Sequence, residues 1–217
     1  MMPESPQEAV IGLYERHAAA YDVDRGRSLQ ERAWLDRFLA FIPPGGTILD
    51  VGCGMGEPIA AYLLQQGVHV LGVDASPSMI ARCRQRFPES DWMVADMREL
   101  ELGKRFDGIV AWDSFFHLGM VDQRSMFSRF AAHARAGAPL MFTSGTSEGE
   151  AIGSYCGEAL YHASLTPAEY RTLLGTNGFV VREFVASDAS CGNHTVWLAT
   201  HGGSDVLPAS HRDLRGI

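Results

Sequence analysis

Chemistry first shows itself in the run Thr47-Ile48-Leu49-Asp50-Val51-Gly52-Cys53-Gly54-Met55-Gly56-Glu57, where an apolar segment ends in a carboxylate and opens into glycines at alternate positions. Glycine lets a backbone take left-handed angles and come close to a ligand, and the free N–H groups of a helix start favour a negative or strongly polar group. The run therefore reads as strand, cofactor loop and helix N-terminus. A dinucleotide loop, G-x-G-x-x-G, would need its third glycine at position 57, where Glu57 stands. Asp74 ends the β-branched run from Val68 to Val73, ~20 positions after the loop, where a carboxylate can accept a ribose diol. Asp96-Met97 follows the run Trp92 to Ala95, and there a carboxylate can accept the exocyclic amine of an adenine while Met97 packs on the ring. Three histidines, His117, His162 and His194, are candidate general bases, because imidazole changes charge near neutral pH. His117 leads, with the other two in reserve.

The elements that must position these residues follow from periodicity. Val10, Leu13, Tyr14, His17, Ala18 and Tyr21 recur at helical steps between Gln7 and Tyr21, and a second helix is expected from Leu29 to Phe41, ended by Pro43-Pro44-Gly45-Gly46. These two cover the sheet as cap helices (7–42), with Asp22 to Arg27 a mobile connection and Tyr14 and Tyr21 available to line a cofactor mouth. Ser76-Pro77 caps the helix that runs to Arg86, and Thr166-Pro167-Ala168-Glu169 is a capping box. Strands are expected at Phe106 to Trp112, Ala138 to Thr143, Phe179 to Ala186 and Thr195 to Thr200, with a helix from Asp122 to Arg135. Ser144 to Ser164, rich in glycine, is expected to be irregular and to act as a substrate lid (144–164). The expected organisation is a single domain over 1–201 and a loose tail over 202–217. If parallel strands present their carboxyl ends at one edge, Trp112, Phe115, Phe116, His117, Tyr155, Tyr161, His162, Cys191 and His194 meet in one pocket there.

Composition narrows the function classes. The 217 residues suffice for one buried α/β core, and 18 Lys+Arg against 26 Asp+Glu leave a formal charge of −8 with no basic run, which disfavours nucleic acid as a partner. Cys53, Cys83, Cys156 and Cys191 are far apart, so neither a zinc site nor a disulfide framework is expected, and a reduced cytoplasm fits. No apolar stretch approaches the ~20 residues of a membrane span, and the N-terminus lacks the pattern of a secretion signal.

The segments Asp50 to Gly56, Val73-Asp74-Ala75-Ser76, Ala95-Asp96-Met97 and Phe116-His117-Leu118 together resemble the class I S-adenosylmethionine (SAM) dependent methyltransferases of the small-molecule branch. The resemblance covers Tyr14 to about Thr200 in organisation. It implies an α/β fold, a doubly wound seven-stranded sheet, mostly parallel, with an antiparallel last strand. It implies SAM as cofactor, with the methionine part carried by Asp50, Gly52 and Gly54, the ribose by Asp74 and the adenine by Asp96 with Met97. Tyr14, Tyr21, Cys53, Ala75, Met79 and Trp112 complete the expected cofactor set. A Leu-His-His-hydrophobic pattern often follows the fourth strand in small-molecule members, and here its first His is missing. The Asn-Pro-Pro-Tyr signature of amino-group nucleic-acid and protein methyltransferases is absent after Val110. The expected reaction is methyl transfer to a small acceptor by in-line displacement, with no metal, leaving the acceptor and the oligomeric state open. The rival readings are an NAD(P)-dependent oxidoreductase and a non-catalytic SAM-binding protein.

Overall fold

The structure, a computed structural model, describes residues 6–202. Among the described residues nine strands and six α-helices follow in chain order: α1 (Pro6–Asp24), α2 (Arg32–Leu39), β1 (Thr47–Val51), α3 (Ile59–Gln65), β2 (His69–Asp74), α4 (Pro77–Arg86), β3 (Asp91–Val94), β4 (Gly108–Ala111), α5 (Met120–His133), β5 (Pro139–Ser144), β6 (Gly149–Tyr155), β7 (Glu158–Ser164), α6 (Pro167–Thr176), β8 (Phe179–Asp188) and β9 (His194–His201). The main sheet has the order β3-β2-β1-β4-β5-β9-β8. β1 to β5 pair in parallel, and β9 runs antiparallel between β5 and β8. The expected doubly wound sheet with an antiparallel last strand is thus what forms.

Strand alternation splits the core between the two faces of the sheet. Leu49, Val51, Ile109 and Phe142 face α5 and α6, meeting Phe115, Phe127, Phe130, Tyr170 and Trp197. Ile48, Val110 and Met141 face α2, α3 and α4, meeting Trp34, Phe38, Ile59 and Leu63. The direction of winding reverses between β1 and β4, and at such a switch point a crevice opens at the carboxyl ends of the strands. No helix among the described residues is long and apolar enough to cross a membrane.

Two local expectations are corrected. Residues 144–164 are not irregular: β6 and β7 form a hairpin in which Tyr155 pairs with Glu158 across Cys156-Gly157. Both turn residues have positive φ, 50° and 80°, as a two-residue mirror-image turn requires. Gly149 and Gly153 had masked the strand pattern; Gly153 lies where an added Cβ would meet the His162 ring at 3.4 Å. The second correction concerns Asp22 and Asp24, which belong to α1 rather than to a mobile connection. Asp22 accepts from Arg27 at 2.7 Å, Arg82 at 3.0 Å and Arg86 at 2.5 Å, and the last two guanidiniums fasten the end of α1 to α4. The expected loose tail lies outside the described residues from position 203 on. The capping box at α6 forms in its first half, Thr166 accepting from the Glu169 N–H at 3.0 Å.

Candidate active site

The loop after β1 needs its glycines. Gly52 has φ +75°, and a Cβ there would fall 2.2 Å from the Ser114 Cβ, so no larger residue fits. Four of the N–H groups that its sequence offers to a ligand are, however, already engaged. The Gly52 and Cys53 N–H groups donate to the Val73 carbonyl at 2.7 and 3.1 Å, and the Gly56 N–H donates to Cys53 at 3.0 Å. The Gly54 N–H donates to Asp74 at 2.9 Å. These backbone donors pin β1 to β2, and α3 begins only at Ile59 with no side-chain cap. An anionic group finds few hands here.

The carboxylates point the same way. Asp50, 3 % exposed, has no hydrogen-bond donor on its side chain among the described residues. Burial, and then the nearby Asp74 charge, push its pKa up to about 7. Asp74 accepts from Gly54 and from the Ser76 N–H at 2.9 Å, and burial still holds its pKa above the usual carboxylate range. The guanidiniums at the two cavities are already bound: Arg98, in the chamber with Asp74, to Asp96 at 2.6 Å, and Arg25, in the narrow cavity with Asp50, to Glu31 at 2.5 Å. The half-buried Asp74 lines the larger chamber and the buried Asp50 a narrow cavity that shares Tyr21, Gly52, Gly54 and Asp113 with it, and neither holds a free cation among the described residues, a donor set that fits a cationic ligand and opposes a diphosphate. Asp96 does line the chamber with Met97, but burial, which would raise its pKa, is outweighed by the Arg98 hydrogen bonds, and it stays ionised. Ala75 and Met79 line the same wall.

Tyr14, Tyr21, Asp113 and His117 stand between this chamber and a second one, bordering both. α1 brings Tyr14 over the sheet edge, where its ring meets Tyr21 edge-on at 5.3 Å and lies against Tyr155 of the hairpin at 6.3 Å. The hairpin is fastened to α1 by Arg16 and His17 on Glu158 and by Tyr155 on Asp24. The Tyr14 hydroxyl donates to His117 Nε2 at 3.1 Å, because His117 Nδ1 is turned to the Tyr161 carbonyl at 2.8 Å and must carry the proton there. Burial lowers the His117 pKa to about 4, and the ring is neutral at pH 7.

The three histidines come to one edge but differ in state. His194 Nδ1 faces the Cys191 carbonyl at 2.7 Å and Nε2 faces Asp113 at 3.0 Å, so both nitrogens donate, and the Asp113 hydrogen bond raises its pKa. His162 packs on His117 at 4.8 Å and on Phe116 at 5.3 Å. Its Nδ1 donates to the Leu160 carbonyl at 3.1 Å, leaving Nε2 as an acceptor with no partner among the described residues, and burial lowers its pKa.

The second chamber gathers Phe116, His117, His162 and His194 as the sequence suggested, but not the whole expected set. Phe115 is fully buried among Phe127, Phe142 and Tyr170, because the tight turn after β4 sends adjacent phenylalanines to opposite sides. Cys191, 1 % exposed, packs with the α2-side core. Tyr161 contributes its carbonyl while its ring packs on Val10. Trp112 sits on the cofactor side with Asp50 and Cys53. Sequence reasoning missed Ser114, whose hydroxyl donates to Val51 at 2.7 Å beneath Gly52, and Glu15, which accepts from Ser76 and Ser78 at 2.5 and 2.6 Å. The helical register of Glu15 one step from Tyr14 was the available signal for the latter.

Comparison with known proteins agrees with this geometry. The family described as a methyltransferase domain matches residues 48–137. A dTDP-3-amino-3,6-dideoxy-alpha-D-glucopyranose N,N-dimethyltransferase of Streptomyces fradiae is 34% identical over 93 residues, 42% of this chain and 36% of that protein. An O-methyltransferase of Pyrenophora dematioidea is 29% identical over 154 residues, 65% of this chain and 57% of that one. The chain thus spans 36% and 57% of the length of these curated relatives. Among solved structures, the SAM-bound magnesium protoporphyrin IX methyltransferase of Synechocystis has a TM-score of 0.69 at 18% identity, covering 93% of this chain and 99% of that one. A SAM-bound amino pentose methyltransferase of Micromonospora echinaspora has a TM-score of 0.67 at 20% identity, covering 86% and 96%. Residues 48–137 thus match a methyltransferase domain, and the seven-stranded sheet that carries them has the fold of these SAM-bound methyltransferases.

Proposed function

We propose that the protein transfers a methyl group from SAM to a small acceptor bound in the chamber lined by Phe116, His117, His162 and His194. The observation that carries this reading is a pair of carboxylates with raised pKa, the buried Asp50 in a narrow cavity and the half-buried Asp74 in the adjoining chamber, with no free cation beside either among the described residues. SAM, when bound, supplies an electrophilic methyl on a positively charged sulfur. In this reading Asp74 takes the ribose diol, Met97 packs on the adenine and Asp50 faces a positive group at the amino-acid end, which is supported by Asp74 and Met97 lining the larger chamber and Asp50 the narrow cavity beside it. A nicotinamide dinucleotide would instead bring a diphosphate to carboxylates and to a loop in which the N–H groups of Gly52, Cys53, Gly54 and Gly56 are already taken.

In such a displacement the protein aligns the acceptor, excludes water and takes up a proton. Tyr14, Tyr21 and Tyr155 roof the junction of the two chambers and shed water from it. The proton of a hydroxyl or ammonium acceptor goes to His162 Nε2, the unengaged nitrogen of the three rings. This moves the leading role from His117, whose Nε2 is held by Tyr14 and whose low pKa makes it a weak base. His194 is doubly protonated and serves to fix Asp113 at the chamber wall. An amine or hydroxyl acceptor agrees with the N,N-dimethyltransferase and O-methyltransferase among the relatives. The formal charge of −8 argues against nucleic acid, and the free thiols Cys53 and Cys83, both donating to the Gly54 carbonyl, suit a reducing cytoplasm.

The test is an acceptor screen read by formation of S-adenosylhomocysteine from SAM. Acceptor-dependent product that is lost in His162→Gln is the expected result. Turnover of NADH in its place, with no use of SAM, would reject the assignment.

A further inference from the structure

The chain segments that carry His117 and His162 are tied together by one side chain, Gln123 of α5. It is fully buried, and a buried carboxamide must find partners for its two donors and its acceptor. Its Nε2 lies 2.8 Å from the Leu118 carbonyl and 2.8 Å from the Ala163 carbonyl. Carbonyls only accept, so the nitrogen must stand on that side, and both of its hydrogens are spent there. The carboxamide oxygen then faces the Tyr170 hydroxyl, which donates to it at 2.6 Å and itself accepts from the Leu165 N–H at 3.1 Å. Every polar atom of Gln123 is thereby fixed.

The two carbonyls it holds belong to the residues that follow His117 and His162. Among the described residues β7 pairs with β6 on one edge and with no strand on the other. Alternate carbonyls of a strand point to the same edge, and here those of Tyr161 and Ala163 are taken by side chains, His117 Nδ1 and Gln123 Nε2, each at 2.8 Å. His162 sits between them, its ring 4.8 Å from His117 and 5.3 Å from Phe116. The one hydrogen bond of that ring runs to Leu160 within β7 itself, so its place in the chamber comes through the strand. α1 reaches the hairpin at its other end, through Tyr155 and Glu158 beside the turn. We infer that Gln123 is a positioning residue for methyl transfer: with one carboxamide on the Leu118 and Ala163 carbonyls, it sets His162 over His117 and aims the free ring nitrogen at the acceptor. This deepens the proposed function and rests on it.

The experiment records the imidazole 1H–13C signals of the full chain with S-adenosylhomocysteine, assigned with His162→Gln, beside Gln123→Met, which keeps the length and loses the hydrogen bonds. The expected result is an Overhauser contact between the His117 and His162 rings that disappears in Gln123→Met, while S-adenosylhomocysteine affinity changes less than about twofold. Gln123→Glu, which when protonated keeps one donor and an acceptor for Tyr170, retains part of the contact and stands in if the Met variant does not fold. With an acceptor from the screen, Gln123→Met lowers kcat about tenfold, but less than about twofold once His162 is already Gln. A ring contact that survives in Gln123→Met would overturn the inference and leave the proposed function intact. So would an equal loss of kcat in the His162→Gln background, or a matching loss of S-adenosylhomocysteine affinity. Full turnover by His162→Gln alone, or no binding of S-adenosylhomocysteine by the unsubstituted protein, would overturn the proposed function and the inference together.

Discussion

The two halves of the sheet's carboxyl edge differ in how they treat charge. At the ends of β1 and β2, Asp50 is buried and Asp74 half-buried, each without a cation partner among the described residues. At the ends of β4 and β9, Asp113 already holds His194, and His117 already holds Tyr14. The cofactor half is electrostatically unfinished and the acceptor half is largely satisfied within itself. Unfinished charge costs the free protein stability, and a ligand of the right sign restores it. A half that completes its own hydrogen bonds instead presents shape and one spare nitrogen, that of His162.

Breaking the cofactor half should give the larger effects. Gly52→Ala places a Cβ on Ser114 in a left-handed position, and should lower stability by about 3 kcal/mol in denaturant unfolding and abolish SAM binding. Asp74→Ala removes the acceptor for Gly54 and Ser76 together with the ribose contact, and should weaken SAM about 100-fold by calorimetry. Asp50→Asn sharpens the comparison because its two effects have opposite signs. The folded-state pKa of Asp50, about 7, lies above its unfolded value, so the Asp50 contribution to stability is full at acid pH and is lost as the pH rises through 7. Asn escapes that loss, and the variant should be more stable at pH 8 by on the order of 1–3 kcal/mol, the gain vanishing near pH 4. It should nonetheless bind SAM more weakly.

The acceptor half should respond in rate rather than binding. His162→Gln should lower kcat about 100-fold or more with SAM affinity unchanged. The acid limb of the pH–rate profile should lie below the ordinary histidine value, because burial lowers the His162 pKa, and activity should fall as the pH drops through it. Smallest of all is Glu158→Gln in the latch between α1 and the hairpin. The ion pair is exposed, Arg16 by 55% and Glu158 by 40%, so thermal melts should show no resolvable shift.

What could be read in the sequence follows the same divide. The Gly loop, Asp74 and the Asp96-Met97 pair are dictated by backbone geometry over a few neighbouring residues, and strand-turn-helix patterns expose them. The roles of the histidines are set by partners far away in sequence, such as Tyr14 and His117, 103 positions apart. Nothing local distinguishes the neutral ring of His117 from the charged ring of His194. Phe115 and Phe116 look alike in the chain, yet a single turn sends one to the core and the other to the acceptor chamber. The hairpin at 149–164 escaped because Gly149 and Gly153 interrupt the alternation that marks a strand, while the Cys156-Gly157 turn lacks the usual Asn or Asp. The loop N–H groups were misjudged for a different reason: whether they are free depends on Val73 and Asp74, which pair with them only once the sheet has formed.

The most direct test is calorimetric titration of the protein with SAM and with NADH at pH 6, 7 and 8, beside Asp50→Asn. If the chamber is built for a cation, SAM binds and NADH does not. SAM affinity then rises between pH 6 and pH 8 as Asp50 ionises, and that rise is reduced in the Asn variant. NADH binding without SAM, or a SAM affinity that Asp50→Asn leaves unchanged at every pH, would contradict the account.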